Sequence, residues 1–199
     1  MSKTRLPRLK SLCVFCGSSA GTDPRHREAA TRLGAGLAAA GVRLVYGGGH
    51  LGLMGALAEA VMAGGGQVIG IIPEHLTRVE KAYLDITELH VVDSMHTRKR
   101  MMFDQADAFV VLPGGMGTMD ETFEILTWKQ LRLHNKPIVI VNQFGYWQNW
   151  LALAESIVAD GFAHPETARL YNVVDDVDSV LAAAQAGLEH AVEGRPGLF

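Results

Sequence analysis

The sequence predicts a parallel, doubly wound α/β sheet with helices on both faces. Short apolar runs alternate along the 199-residue chain with longer segments of helical character, which is the pattern of a βαβ protein. Those runs lack the polar–apolar alternation of a half-solvated strand, so they read as strands buried on both faces. Glycine makes up 22 of the 199 residues, above the usual share of about 7%, and much of the excess lies in turns that follow the apolar runs. Ligands of such sheets bind outside the carboxyl ends of the strands, near a reversal of strand order. The turns at Gly17, Gly47 and Gly114 are therefore expected to converge on one edge.

In chain order, Ser11 to Cys16 is the first strand and runs into the small, polar turn Gly17-Ser18-Ser19-Ala20-Gly21. Pro24 to Ala40 is a helix, with Asp23 as N-cap, Pro24 at the first position and Gly41 as its stop. Val42 to Tyr46 is the second strand, Leu53 to Ala63 the second helix and Gln67 to Ile72 the third strand. Pro73 to Leu89 is irregular, and Val91 and Val92 end a short strand-like piece. Ser94 opens a helix that runs to about Ala106, and Ala108 to Leu112 is the next strand. After the turn Pro113 to Glu121 comes a helix over Thr122 to Leu131, then a strand over Ile138 to Val141. Tyr146 to Asp160 is amphipathic and ends near Gly161, Tyr171 to Val174 is an edge strand, and Val177 to Ala191 is the final helix. Residues 1–10 and 193–199 read as loose termini of one domain, 1–199, since no repeat, low-complexity stretch or linker divides it.

Composition narrows the function. The chain is 48% hydrophobic and 20% charged, so it is globular, and its formal net charge of -3 gives no support for a nucleic-acid or membrane surface. Met1 to Lys10 is basic, but the apolar run after it is too short for a signal peptide, and no stretch approaches a membrane span. A cytoplasmic location is the expectation. The two cysteines, Cys13 and Cys16, form C-x-x-C inside the first strand, where residues three apart point to opposite faces. They are expected to be buried free thiols rather than a redox pair. The eight histidines show no metal-ligand spacing, so no metal site is expected.

Three motifs carry chemistry. Pro113-Gly114-Gly115-Met116-Gly117-Thr118-Met119-Asp120-Glu121 sits at a strand-to-helix turn, where glycines let a ligand approach the backbone and the helix start favours phosphate. Thr118-x-x-Glu121 fits a capping box, but Asp120, Glu121 and Glu124 also place three carboxylates beside the anion site. A site that holds phosphate at one end and stabilises positive charge at the other would want them, as in cleavage of an N-glycosidic bond through an oxocarbenium-like transition state. Gly47-Gly48-Gly49-His50-Leu51-Gly52 fits G-x-G-x-x-G, but it follows the second strand rather than the first. It reads as part of a mononucleotide pocket or as a tight packing turn more readily than as an NAD site. Arg98-Lys99-Arg100 opens a helix; such a run is usually a solvated face, and Arg98 and Lys99 point about 100° apart, so both cannot face one small ligand.

The nine residues from Pro113 to Glu121 match the PGGxGTxxE motif of the LOG (LONELY GUY) family of cytokinin-activating phosphoribohydrolases, also labelled "possible lysine decarboxylase". Met95-His96-x-Arg98-Lys99, the GGG turn and Thr127-Trp128-x-Gln130-Leu131 extend the resemblance across roughly Ser11 to Gly161. It implies a Rossmann-like fold, usually homodimeric, that hydrolyses N6-modified adenine nucleoside 5′-monophosphates or AMP to free base and ribose 5-phosphate, with no cofactor. Arg98 and Glu121 are implied as catalytic. Implied as substrate-binding are Glu80, Lys99, Thr127, Gly47, Gly48 and Gly49, and the phosphate-holding Gly114, Gly115, Gly117 and Thr118. The alternative is a non-catalytic nucleotide or cofactor binder such as a molybdenum-cofactor carrier. A decarboxylase using pyridoxal phosphate would need a Schiff-base lysine, and the context of Lys81, Lys99, Lys129 or Lys136 singles none of them out.

Overall fold

Every residue of four central strands is buried, which is why those runs are continuously apolar. The computed structural model describes residues 8–193, with side chains as far as residue 191. Its strands are β1 (Ser11–Phe15), β2 (Arg43–Tyr46), β3 (Val68–Pro73), β4 (Glu88–Val92), β5 (Ala108–Val111), β6 (Ile138–Val141) and β7 (Asn172–Val174). They form one parallel sheet in the order β4-β3-β2-β1-β5-β6-β7. The helices are α1 (Pro24–Ala40), α2 (Gly52–Ala63), α3 (Met95–Gln105), α4 (Met116–Gln130), α5 (Gln148–Ala159) and α6 (Val180–Glu193).

The sheet separates two apolar cores. One packs Leu12, Val14 and Leu44 against α1, α2 and α6; the other packs Cys13, Phe15 and Phe109 against α3, α4 and α5. Strand alternation thus sends Cys13 to one face and Cys16 to the other, both as free thiols. Burial pushes both thiols above their usual range, so they are poor nucleophiles.

α1 keeps its expected limits: Asp23 accepts from the Arg25 amide at 3.0 Å, Pro24 occupies the first turn and Gly41 ends the helix at φ 65°. Other boundaries move. Pro73 closes β3 instead of opening the loop, in register with Val92 at the end of β4. α6 starts at Val180, because Asp176 caps a short 3₁₀ turn over Val177–Ser179 ahead of it. Residues 8–10, expected to be loose, are packed: Leu9 is buried, and the Lys10 and Ser11 amides both donate to Asp107 Oδ2 at 2.9 Å. The expected loose ends at 1–7 and 194–199 lie outside the described residues.

The largest correction concerns α4. It begins at Met116, capped by Gly115, so Thr118 and Glu121 already lie within the helix and form no capping box. The Glu121 side chain is released from a capping role and points into the protein, where it is 9% exposed.

Strand order reverses between β1 and β5, and the turns that follow these two strands lie side by side. The Leu112 amide donates to Phe15 O at 2.9 Å and the Gly17 amide to Pro113 O at 3.0 Å. A doubly wound sheet opens its ligand crevice at this place.

Candidate active site

A cavity of about 310 Å³ opens at that reversal, at the carboxyl edge of the sheet. Gly17 and Ser18 enter it from the turn after β1, Gly47 from the turn after β2, and Gly115, Gly117, Thr118 and Glu121 from the start of α4. Arg98 reaches it from the first turn of α3, and Glu80 from the irregular segment after β3.

Each charged side chain has a local reason to be there. Ser94 caps α3 by accepting from the Thr97 amide at 3.2 Å, which sets the helix rotation and turns Arg98 inward. Arg98 is 5% exposed; its Nη2 donates to Gly47 O at 3.1 Å and lies 3.6 Å from Glu80 Oε2. Glu80 is held by its backbone: the His50 amide donates to Glu80 O at 3.1 Å and the Tyr83 amide to Gly48 O at 3.0 Å. The segment that carries Glu80 is therefore pinned to the GGG turn. Arg98 Nε and Glu80 Oε2 are buried without a hydrogen-bond partner among the described residues, so both keep capacity for a ligand.

Burial raises the Glu121 carboxyl to about 7; the Arg98 charge counteracts this in part, while Glu80 and Asp120 add to it. Burial also raises Glu80, against the pull of Arg98. Two carboxylates thus share one guanidinium, and the deeper one titrates near neutrality, where an acid–base group works best.

The helix start above these groups is open. Gly115 provides no side-chain cap, and among the described residues no partner is present for the Gly117 and Thr118 amides. Those amides face the cavity and suit an anion. The start of α2 differs, because its Leu53 and Met54 amides both donate to Gly17 O, at 3.0 and 3.3 Å. The amides of the second and third residues of α2 are thus taken by protein, which argues against the dinucleotide reading of Gly47 to Gly52.

Several expected residues lie outside the cavity lining. Lys99 points toward α4, with Nζ 3.1 Å from Asp120 Oδ2 and 3.1 Å from Glu124 Oε1. Thr127 is exposed, six residues beyond Glu121 and so about 240° around the helix. Gly48 and Gly49 pack against Ile72 and Glu80, and Gly114 lies against Thr118, with its carbonyl accepting from the Tyr146 hydroxyl at 2.7 Å. The sequence reading missed an apolar wall built from Met54, Met95, Met102 and Met116. Met54, Met95 and Met102 read in sequence as ordinary helix residues and Met116 as part of the glycine turn; what they share is the carboxyl edge of the sheet. Thioethers of this kind are flexible and polarisable, and they suit a flat apolar group. Among the described residues no lysine lines the cavity, so none of them offers a Schiff-base anchor for pyridoxal phosphate there. Among the described residues no cluster of three metal-ligating side chains occurs.

A parallel sheet that reverses at an open helix start defines a Rossmann-like α/β protein. The molybdenum cofactor carrier protein of Chlamydomonas reinhardtii shares this fold, at TM-score 0.69 and 23% identity over 91% of this chain and 99% of that one. Residues 54–184 match the family described as "Possible lysine decarboxylase". A cytokinin riboside 5′-monophosphate phosphoribohydrolase of Rhodococcoides fascians is 44% identical over 181 residues, covering 90% of this chain and 91% of that one. One of the same name from Arabidopsis thaliana is 45% identical over 163 residues, 82% and 75% of the two chains. The chain belongs to this family, the LOG family that its motifs resemble.

Proposed function

We propose that the protein hydrolyses the N-glycosidic bond of adenine nucleoside 5′-monophosphates, N6-modified cytokinin ribotides among them, to free base and ribose 5-phosphate. The observation that carries this reading is the buried Glu121 carboxyl, raised to about 7, in one cavity with Arg98 and an open helix start. The names and the coverage of the relatives support it.

The free amides of Gly117 and Thr118 hold the 5′-phosphate. Arg98 steadies the sugar oxygens with its planar fork, and its charge keeps a fraction of Glu121 ionised at neutral pH. As the C1′–N9 bond breaks, its electron pair leaves with the purine and C1′ takes oxocarbenium charge, which the Glu121 carboxylate stabilises. Glu121 takes a proton from water as the water oxygen bonds to C1′; the departing base takes a proton from solvent and Glu121 later releases its own. The net change is one water divided between sugar and base. The methionine wall receives the base.

The decisive experiment incubates the protein with AMP and with isopentenyladenosine 5′-monophosphate and follows free base by chromatography, with the two nucleosides lacking phosphate as controls. Release from the monophosphates alone is expected, and the ratio of the two rates measures base preference. Binding without release would overturn the hydrolase in favour of a carrier. The reading also includes a homodimer in the cytoplasm. Supporting the dimer, Phe123 on α4 and Leu153 on α5 leave apolar surface exposed beside Trp150, and light scattering at micromolar concentration checks it. Among the described residues no helix is long and apolar enough to cross a membrane.

A further inference from the structure

A second cavity, of about 440 Å³, lies at the opposite, amino edge of the sheet, where β6 and β7 begin and α4 and α6 end. Lys129, Arg169 and His190 line it together with Asn135 and Tyr171, and among the described residues no carboxylate lines it. In a chain of net charge -3, a cavity with three basic side chains and no acid among the described lining residues needs an explanation.

Helix polarity explains part of it, since Lys129 and His190 stand in the last turns of α4 and α6, where cations complement the dipole. Arg169 belongs to neither helix; it comes from the turn before β7 and has no ion-pair partner among the described residues. Lys129 also lacks a carboxylate partner there: its Nζ donates once, to Lys136 O at 3.1 Å, and keeps two further N–H groups. Burial without a counter-charge lowers this ammonium to about 8. His190 Nδ1 donates to Ala186 O at 2.7 Å, which leaves Nε2 of the neutral ring as a hydrogen-bond acceptor. Cationic donors thus reach one space from two separate segments, and an imidazole acceptor reaches it from a third.

We propose that this amino-edge cavity binds a phosphate group, free or esterified to a small sugar. Two cations from different directions suit a tetrahedral oxyanion, Arg169 supplying a fork and Lys129 a point charge, while His190 Nε2 can accept from a P–OH or sugar hydroxyl. The volume exceeds what phosphate alone fills and lies within the usual range for small-molecule sites. The Asn135 amide and the Tyr171 ring line the remaining space, as a sugar would require. α4 joins this site to the first one, because Glu121 and Lys129 are eight residues, ~12 Å, apart on it.

The inference does not depend on the hydrolase reading, and its test separates the two sites. Backbone amide NMR of the whole chain is followed during titration with inorganic phosphate and, separately, with ribose 5-phosphate. The Asn172 and Gly187 amides report the amino edge, and the Gly117 and Thr118 amides report the carboxyl edge. Saturable shifts at Asn172 and Gly187 are expected. They should weaken at least tenfold in Arg169→Ala, an exposed position, and in Lys129→Met, with the Gly117 and Thr118 response unchanged. Binding of ribose 5-phosphate tenfold tighter than phosphate would identify the ester, and equal affinity would identify free phosphate; either supports the site. Shifts confined to Gly117 and Thr118, or amino-edge shifts that do not saturate and survive Arg169→Ala, would overturn it.

Discussion

Two glycine-rich turns that look alike in sequence do different work. The turn at Gly47 to Gly49 faces protein: a Cβ built at Gly47 would lie 2.0 Å from Arg98 Nη2, and one at Gly49 would lie 3.2 Å from the Glu80 Cβ. The turn at Gly115 to Gly117 faces open space, with nothing within 4 Å of a Cβ at either glycine. The helix starts differ in the same sense. Gly17 O occupies the first amides of α2, whereas those of Gly117 and Thr118 in α4 have no partner among the described residues. The first turn makes room for the charged side chains, and the second makes room for the ligand. A glycine pattern therefore says that backbone comes close to something, and only the neighbours say to what.

The largest break in that comparison is removal of the carboxylate that both turns serve. Glu121→Gln should lower hydrolysis of AMP by about 10³-fold. It should also stabilise the protein, and the sign follows from linkage. The folded protein holds the Glu121 proton more tightly than the unfolded chain, so this group's contribution is fully present below pH 4.5 and is lost as pH rises through about 7. The amide does not ionise, so the variant should gain on the order of 3 kcal/mol over wild type at pH 8 and nothing at pH 4. Thermal melts at the two pH values check this; equal melting temperatures at pH 8 would break the burial argument. In the wild type, kcat should fall as pH drops below 7, while the ionised fraction declines.

Gly47→Ala comes next. The added methyl meets the far end of Arg98 and the Met54 sulfur at 3.0 Å, so the guanidinium must move although the fold can adapt. About 1–2 kcal/mol of stability should be lost, together with 10- to 100-fold in kcat, because a displacement of about 1 Å is costly at a reacting centre. A variant with normal kcat would show that the first turn is only a packing device.

Lys99→Met tests the tie between the helices that carry Arg98 and Glu121. Lys99 is largely buried and Asp120 is exposed, so losing both ion pairs should cost only about 1 kcal/mol. The Lys99 charge lowers the Glu121 carboxyl and Asp120 raises it, so removing the lysine leaves Arg98 as the remaining opposing charge. The acid limb of the kcat profile should move to higher pH, with KM nearly unchanged. A tenfold rise in KM with a stationary pH profile would instead return Lys99 to direct phosphate contact.

These tests also mark what the sequence could and could not show. The buried strands, the parallel sheet and the meeting of the turns at Gly17, Gly47 and Gly114 were legible, because continuous apolar runs and strand-to-helix glycines are local signals. Helix geometry alone said that Arg98 and Lys99 must diverge, but not which one would turn inward; Ser94 and the Asp120–Glu124 pair decide that. The capping-box pattern at Thr118 and Glu121 misled, since the sheet edge starts α4 at Met116 despite its poor helix formers, and tertiary position overrides propensity. Glu80 arrives through backbone pairing between distant segments, Gly49 with Ala82, which no local period encodes. The turn of Thr127 away from the cavity could have been worked out from its 240° offset from Glu121.

The smallest expected effect sharpens the comparison by its sign. Gly117 lies in the first turn of α4, where a methyl group meets nothing and an alanine improves helix propensity. Gly117→Ala should therefore stabilise the free protein by about 0.5–1 kcal/mol, which is a rise of about 1–4 °C in Tm for a chain of this size. The open space it enters is the space assigned to the phosphate, so KM for AMP should rise severalfold while kcat changes little. Opposite signs in stability for Gly117→Ala and Gly47→Ala, measured side by side, would separate a glycine kept for a ligand from one kept for a side chain. If both variants lost stability, the second turn would be tightly packed as well, and the phosphate would have to be placed elsewhere along the cavity.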